Sequence, residues 1–129
     1  MNTSVLQDPA RKTNPDLSDS EVLDIGTKPG QSDGMAMDNR GTLRYGDLPG
    51  SAVYSTELKQ RSTSLGTQRR IAQSTKDLLF PDQFGFDGKG NLLLTTTKFH
   101  LFIADMIKPN EVNYRVLKFT TGTNAYNAA

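Results

Sequence analysis

Apolar and aromatic side chains concentrate in the second part of the chain. All six phenylalanines lie between residues 80 and 119, whereas the first fifty residues contain no Phe or Trp and a single tyrosine, Tyr45. Folding must offset about 1–2 kcal/mol of backbone entropy per ordered residue, and aromatic side chains bury the largest areas. We therefore predict that residues 1–55 form an extended or disordered arm, followed by a polar connector over residues 56–66.

A seven-residue spacing of apolar side chains precedes the first phenylalanine. The residues that recur are Leu58, Leu65, Ala72 and Leu79. Glycine costs about 1 kcal/mol in a helix interior, and Gly66 lies within this stretch. The spacing therefore predicts a helix only over residues 67–79, before Pro81, which prevents its continuation.

The remaining residues alternate between turn-forming and apolar stretches. Residues 83–97 have a glycine-rich turn followed by leucines and threonines, which predicts a β-hairpin. Apolar positions in residues 98–107 match helical spacing, which favours a helix, with a strand as the alternative. Alternation over residues 112–121 predicts a final strand. The expected fold class is α+β: a small module over residues 67–121 with a flexible tail, residues 122–129, and the long N-terminal arm.

The N-terminal arm contains one local helix signal. Ser18 and Glu21 have the spacing of a capping box, with Leu17 and Val22 positioned as a hydrophobic staple. This predicts a short helix near residues 19–25, which is too short to be stable alone and suggests a docking element. The apolar residues of the arm expected to contact a partner are Leu17, Val22, Leu23, Ile25, Leu43, Tyr45 and Leu48.

Composition excludes several classes of protein. The chain has 129 residues, no cysteine, one histidine and a formal net charge of +1. It therefore lacks the residues for a disulfide scaffold, a thiolate metal site or a multi-histidine zinc site. No secretory signal is recognisable, and the longest mostly apolar run is far shorter than the ~20 residues that span a bilayer. These features predict a cytoplasmic or virion location with no membrane span.

Candidate catalytic groups are sparse. His100 is the single imidazole and lies between two apolar residues, which is typical of a structural histidine. The carboxylates of the predicted module lie mostly beside turns or helix ends, where capping or solvation accounts for them. The glycine-rich run over residues 85–90 lacks the spacing of a phosphate-binding loop or a calcium loop. The sequence therefore predicts no enzyme, no catalytic residue, no cofactor and no metal.

Positive charge follows the acidic arm. The first fifty residues have eight acidic and five basic side chains, whereas the rest of the chain has a net positive charge. Phosphate contact needs such a basic patch, but the pI of about 8.0 is modest for a nucleic-acid binder. The arm of one copy is also expected to pair with the basic module of a neighbour. The residues expected to contact nucleic acid or an acidic partner are Arg61, Arg69, Arg70 and Lys76.

These features together favour a non-enzymatic assembly protein. An extended arm that folds on its partners gains reach and avidity from several weak contacts. The expected function is a structural component of a virion (capsid, connector or tail) whose arm wraps neighbouring subunits, including further copies of itself. The alternatives are a linker subunit of a cellular complex such as a light-harvesting antenna, or a weak nucleic-acid-binding accessory protein.

Overall fold

The computed structural model describes residue 9 and residues 22–59 and 62–126 of the chain. In these residues the protein consists mainly of β-strands arranged in two antiparallel sheets, with order β1-β2-β3-β4 in the first and β5-β6-β7 in the second. The elements are β1 (Met35–Met37), β2 (Thr42–Asp47), β3 (Ala52–Glu57), β4 (Arg69–Gln73), β5 (Phe80–Phe86), β6 (Asn91–Thr97), α1 (Phe99–Ile103) and β7 (Arg115–Thr120).

The first sheet is a meander whose strands follow one another in chain order. Tyr45 in β2 lies opposite Tyr54 in β3, and the two rings stack with centroids 6.1 Å apart. Tyr45 is fully buried, and its hydroxyl donates a hydrogen bond to Gln68. This cross-strand aromatic pair stabilises a sheet whose first two strands contain few other large apolar side chains.

The second sheet packs one face against the first. Leu94 of β6 joins Val53 and Leu78 in the buried core, and Phe84 and Leu117 pack against this cluster. Alternation along β6 sends Leu92, Leu94 and Thr96 inward, where each is buried. The two sheets therefore share one core between their facing sides, as expected for stacked β-layers.

A buried ion pair joins the first sheet to the C-terminal tail. The Asp38 carboxylate, fully buried after β1, accepts hydrogen bonds from Arg44 at 2.7 Å and from the Arg40 and Thr42 backbone N–H groups. Asp38 also forms a bridge with Ala125, so the tail lies beside the first sheet. Although burial opposes ionisation, these hydrogen bonds hold the pKa of Asp38 below its usual value.

The predicted α+β fold with a long arm is wrong. Residues 27–50, expected to be extended and unpaired, form β1 and β2, because Tyr45 is buried by its own chain rather than by a partner. The helix predicted over residues 67–79 is the strand β4: Ala72 packs inward opposite Val53, and pairing with β3 overrides the heptad-like spacing. The helix predicted near residues 19–25 lies largely outside the described residues, and residues 22–25 are not helical.

The predictions for the last third of the chain are closer to the structure. The β-hairpin is confirmed, since β5 pairs with β6 across a turn in which the Asp87 carboxylate accepts the Lys89 N–H. The helix in residues 98–107 exists as the single short helix α1, and the final strand exists as β7. Local turn chemistry and alternation determine these elements, so they could be predicted without knowledge of the rest of the fold.

Truncation of the shared core has a calculable cost. Leu94→Ala is expected to lower the free energy of unfolding by about 2–5 kcal/mol, because it leaves a cavity between the two sheets. Leu93→Ala is the matched control, since Leu93 is the neighbouring leucine on the opposite, partly exposed face. Urea unfolding should give a clearly smaller loss for Leu93→Ala; equal losses would contradict the assignment of the core face.

Candidate functional site

The largest aromatic concentration lies at one end of the second sheet. Here β5 begins, β6 ends and β7 begins, and the long connection over residues 98–114 passes over the end of the sheet. A cavity of about 340 Å³ opens between these segments. The residues that line it are Asp33, Phe80, Asp82, Thr97, Lys98, Phe99, Phe102, Ile107 and Tyr114.

A β-bulge places Asp82 in the cavity. The register of β5 on β6 shifts between Pro81 and Phe84, so that Pro81 pairs with Thr96 and Phe84 with Leu94. Both partners are buried, so Pro81 and Phe84 both face the core and the extra residue lies between them. Bulges re-aim side chains in this way beside functional sites. The bulge thus frees the Asp82 side chain from the regular alternation of β5.

A close backbone approach brings Asp33 to the same place. A Cβ atom on Gly34 would overlap the carbonyl oxygen of Asp82 and lie 2.9 Å from the Cα atom of Gln83. Only glycine permits this contact, which sets the segment before β1 against β5. Asp33 therefore reaches the carboxyl group of Asp82. The two carboxyl groups form a hydrogen-bonded pair that raises the pKa of Asp82, through burial first and then through the charge and hydrogen bond of Asp33.

Aromatic rings form the opposite part of the cavity. Phe80 and Phe99 meet edge to face with centroids 5.7 Å apart, and Phe99 stacks on Phe102 at 6.3 Å. Phe99, Phe102 and Tyr114 are each at least half exposed, which is unusual for side chains of this size. Their ring faces are therefore available to a molecule that enters the cavity.

The one cationic group in the lining is already paired. The Lys98 ammonium donates a hydrogen bond to Glu111 at 2.7 Å, and Lys108 lies 3.4 Å from the same carboxylate. These two lysines hold the pKa of Glu111 below its usual value. Because Lys98 is directed toward Glu111, the Asp33–Asp82 pair determines the charge of the cavity. The cavity therefore combines negative charge with aromatic surface.

Sequence reasoning did not find this site. Asp82 was attributed to a turn and Asp33 to an extended arm, because the bulge and the approach at Gly34 have no periodic signature. The one available signal was the density of aromatic residues between residues 80 and 102. His100 lies next to the cavity, with its ring stacked on that of Phe80 at 6.1 Å.

The residues predicted from sequence to bind partners do not gather in one place. Val22 and Leu23 are exposed, Ile25, Leu43 and Leu48 are half-buried, and Tyr45 is buried within the first sheet. Arg69 and Arg70 are exposed on β4 and Lys76 is exposed in the following turn. Leu17 and Arg61 lie outside the described residues. Contact of these residues with protein or nucleic acid stays a prediction, as does the cellular compartment.

Two searches of the described part of the chain bear on cofactors and membranes. Residues 22–59 and 62–126 contain no group of three or more His, Cys, Asp or Glu side chains that could hold a metal ion. Within the same residues, α1 is the only helix, and no helix has the length and apolar character needed to cross a bilayer.

Comparison with known proteins identifies the family. No curated protein matches the chain significantly. A family model described as major royal jelly protein matches residues 1–128, which overturns the prediction of a virion component. This family has a β-propeller-type fold, and the four-stranded antiparallel meander of the first sheet is the unit from which propeller blades are built. With almost its whole length matched, the chain belongs to the major royal jelly protein family.

Proposed function

We propose that this protein binds a small organic cation, with an ammonium group at the Asp33–Asp82 pair and an aromatic or apolar body against the phenylalanine rings. The observation that carries the proposal is the placement of a carboxyl pair and exposed aromatic rings in one cavity. Negative charge and aromatic faces both attract an ammonium group, the first by Coulomb interaction and the second by cation–π interaction.

The size of the cavity restricts the ligand. Its volume of about 340 Å³ is near the lower end of the range of ~300–1,000 Å³ found for small-molecule sites. A single ring with a short amine chain fits such a volume, whereas a peptide or a nucleotide does not. The aromatic residues Phe80, Phe99 and Phe102 would cover the body of the ligand.

The charge distribution also favours a cation over an anion. An anion in the cavity would have to be bound by Lys98, whose ammonium is already held by Glu111 at 2.7 Å. It would also lie close to Asp33 and Asp82, where like charge is unfavourable. The same residues that repel an anion therefore attract an ammonium group.

We propose binding rather than catalysis as the activity. The Thr97 hydroxyl, the one hydroxyl of the lining besides that of Tyr114, accepts the N–H of Phe99 at 3.2 Å. The imidazole of His100 stacks on Phe80 and is not part of the cavity lining. A nucleophile with a base in reach, which acyl or phosphoryl transfer needs, is therefore not assembled among these lining residues.

Calorimetric titration with three ligands of matched shape tests the proposal. Phenethylammonium, the neutral phenethyl alcohol and the anionic phenylacetate share a phenyl ring and differ in charge. We expect measurable binding for phenethylammonium alone. Asp82→Asn is expected to weaken it by about 10- to 100-fold, because a hydrogen bond to a charged group is worth about 1.5–3 kcal/mol.

Asp105→Asn is the matched control variant. Asp105 is exposed in the same connection, does not line the cavity, and has a φ of 53°, which asparagine tolerates. It removes the same charge and should leave the affinity unchanged. Equal binding of the alcohol and the ammonium, or equal losses in Asp82→Asn and Asp105→Asn, would refute the proposal.

A further inference from the structure

The Asp33–Asp82 pair has a property beyond attracting a cation. Two carboxyl groups joined by a hydrogen bond need a proton between them, because two carboxylates offer only acceptors. Asp82 is half-buried in the wall of the cavity, which disfavours ionisation of both groups at once. The pair is therefore expected to hold one proton at a pH where an isolated aspartate is ionised.

No neighbouring cation relieves the repulsion between these two carboxyl groups. Lys98, at the start of α1, is turned to Glu111, and Arg115 of β7 lies 3.2 Å from the carboxylate of Asp77. Tyr114, before β7, is uncharged at neutral pH, and His100 stacks on Phe80 outside the cavity lining. The proton is consequently the one positive charge that the pair itself can recruit.

We propose that the Asp33–Asp82 pair holds a proton when the cavity lacks a cation and releases it to solvent when an ammonium group binds. The exchange is balanced: the O–H bond of the pair breaks, the proton goes to water or buffer, and N–H donors of the ligand take its place. This inference rests on the proposed function and adds to it that ligand uptake depends on pH. Binding would be tight at neutral pH and weak in an acidic compartment.

Proton release can be measured directly by calorimetry. Phenethylammonium, an alkylammonium that stays charged at these pH values, is titrated into the full chain at about pH 5 in two buffers of different ionisation enthalpy. The apparent binding enthalpy is expected to differ between the buffers in proportion to the protons released, up to one per ligand. The affinity should rise with pH, by up to about tenfold per unit, until the pair is fully ionised.

Two variants locate the exchanged proton. Asp82→Asn should bind more weakly, with the same enthalpy in both buffers and no pH dependence of affinity. Asp105→Asn should behave as the unmodified chain. If the unmodified chain binds with equal enthalpies in both buffers and constant affinity, the proton exchange is refuted and the proposed function stands. If phenethylammonium does not bind at any pH, both are refuted.

Discussion

Asp38→Ala is expected to lower the free energy of unfolding by about 3–5 kcal/mol, the cost of leaving a buried charge without its partner. Asp38 is fully buried and accepts three hydrogen bonds, from the Arg44 side chain and from the backbone N–H groups of Arg40 and Thr42. Its loss would leave the Arg44 guanidinium and two backbone donors unsatisfied at the turn between β1 and β2. Urea unfolding followed by tyrosine fluorescence measures the change.

The double variant Asp38→Leu/Arg44→Met controls for this interpretation. Replacing both members by apolar residues removes the unpaired charge, so the double variant should be more stable than Asp38→Ala alone. Strict additivity of the single losses would contradict a coupled pair. The pH dependence gives a second check. Because the pKa of Asp38 is lowered in the folded protein, its stabilisation is present above about pH 3.8 and is lost as pH falls further.

Gly34→Ala is expected to abolish ligand binding at the cavity and to destabilise the protein by about 1–3 kcal/mol, as overpacking does. The added methyl group would overlap the carbonyl oxygen of Asp82 and approach the Cα atom of Gln83 to 2.9 Å. Both are backbone atoms, so the segment before β1 must move away from β5. Asp33 would then leave Asp82, and the carboxyl pair would be broken.

Gly85→Ala is the control for this effect. Gly85 also lies in β5, but a methyl group there would meet no atom within 4 Å. Its substitution should change stability by no more than about 0.5 kcal/mol and leave binding intact. Calorimetric titration with phenethylammonium and urea unfolding of the two variants supply both readouts. If Gly34→Ala bound the ligand as Gly85→Ala does, the close approach would not be what builds the site.

The parts of the fold that could be predicted are those determined by local chemistry. The turn after Asp87, the β-branched end of β6 and the alternation of β7 are visible within a few residues of sequence. The first sheet was missed because β1 and β2 lie in a turn-rich stretch, and their stability comes from pairing with β3 across the chain. Strand formation of this kind depends on partners that a local pattern does not contain.

The candidate site was harder to predict than the fold, for a related reason. Asp33 and Asp82 are distant in sequence and meet only because Gly34 lets two backbones touch. The bulge between Pro81 and Phe84 then interrupts the alternation that would otherwise assign Asp82 to a face. A site built from a bulge and a close approach is a product of tertiary structure. Its aromatic half, Phe99 and Phe102, was visible as an apolar stripe and was assigned to a helix face.

Membership of the major royal jelly protein family changes how the cavity is interpreted. The polar, turn-rich composition that suggested an arm wrapped around partners is typical of a β-rich propeller-type fold. Ligand sites often occur where loops connect the strands of such rigid sheets. The long connection between β6 and β7 supplies four of the lining residues, namely Phe99, Phe102, Ile107 and Tyr114.

The most direct test of the account is a titration of the isotopically labelled protein with phenethylammonium, followed by two-dimensional NMR of the backbone amides. Binding at the proposed site predicts saturable shifts at Asp33, Asp82, Phe99, Phe102 and Tyr114. Phenethyl alcohol at the same concentrations should leave these signals in place. Saturable shifts confined to the other end of the first sheet, around residues 62–69, or the same shifts with the alcohol, would contradict the assignment of the cavity as an organic-cation site.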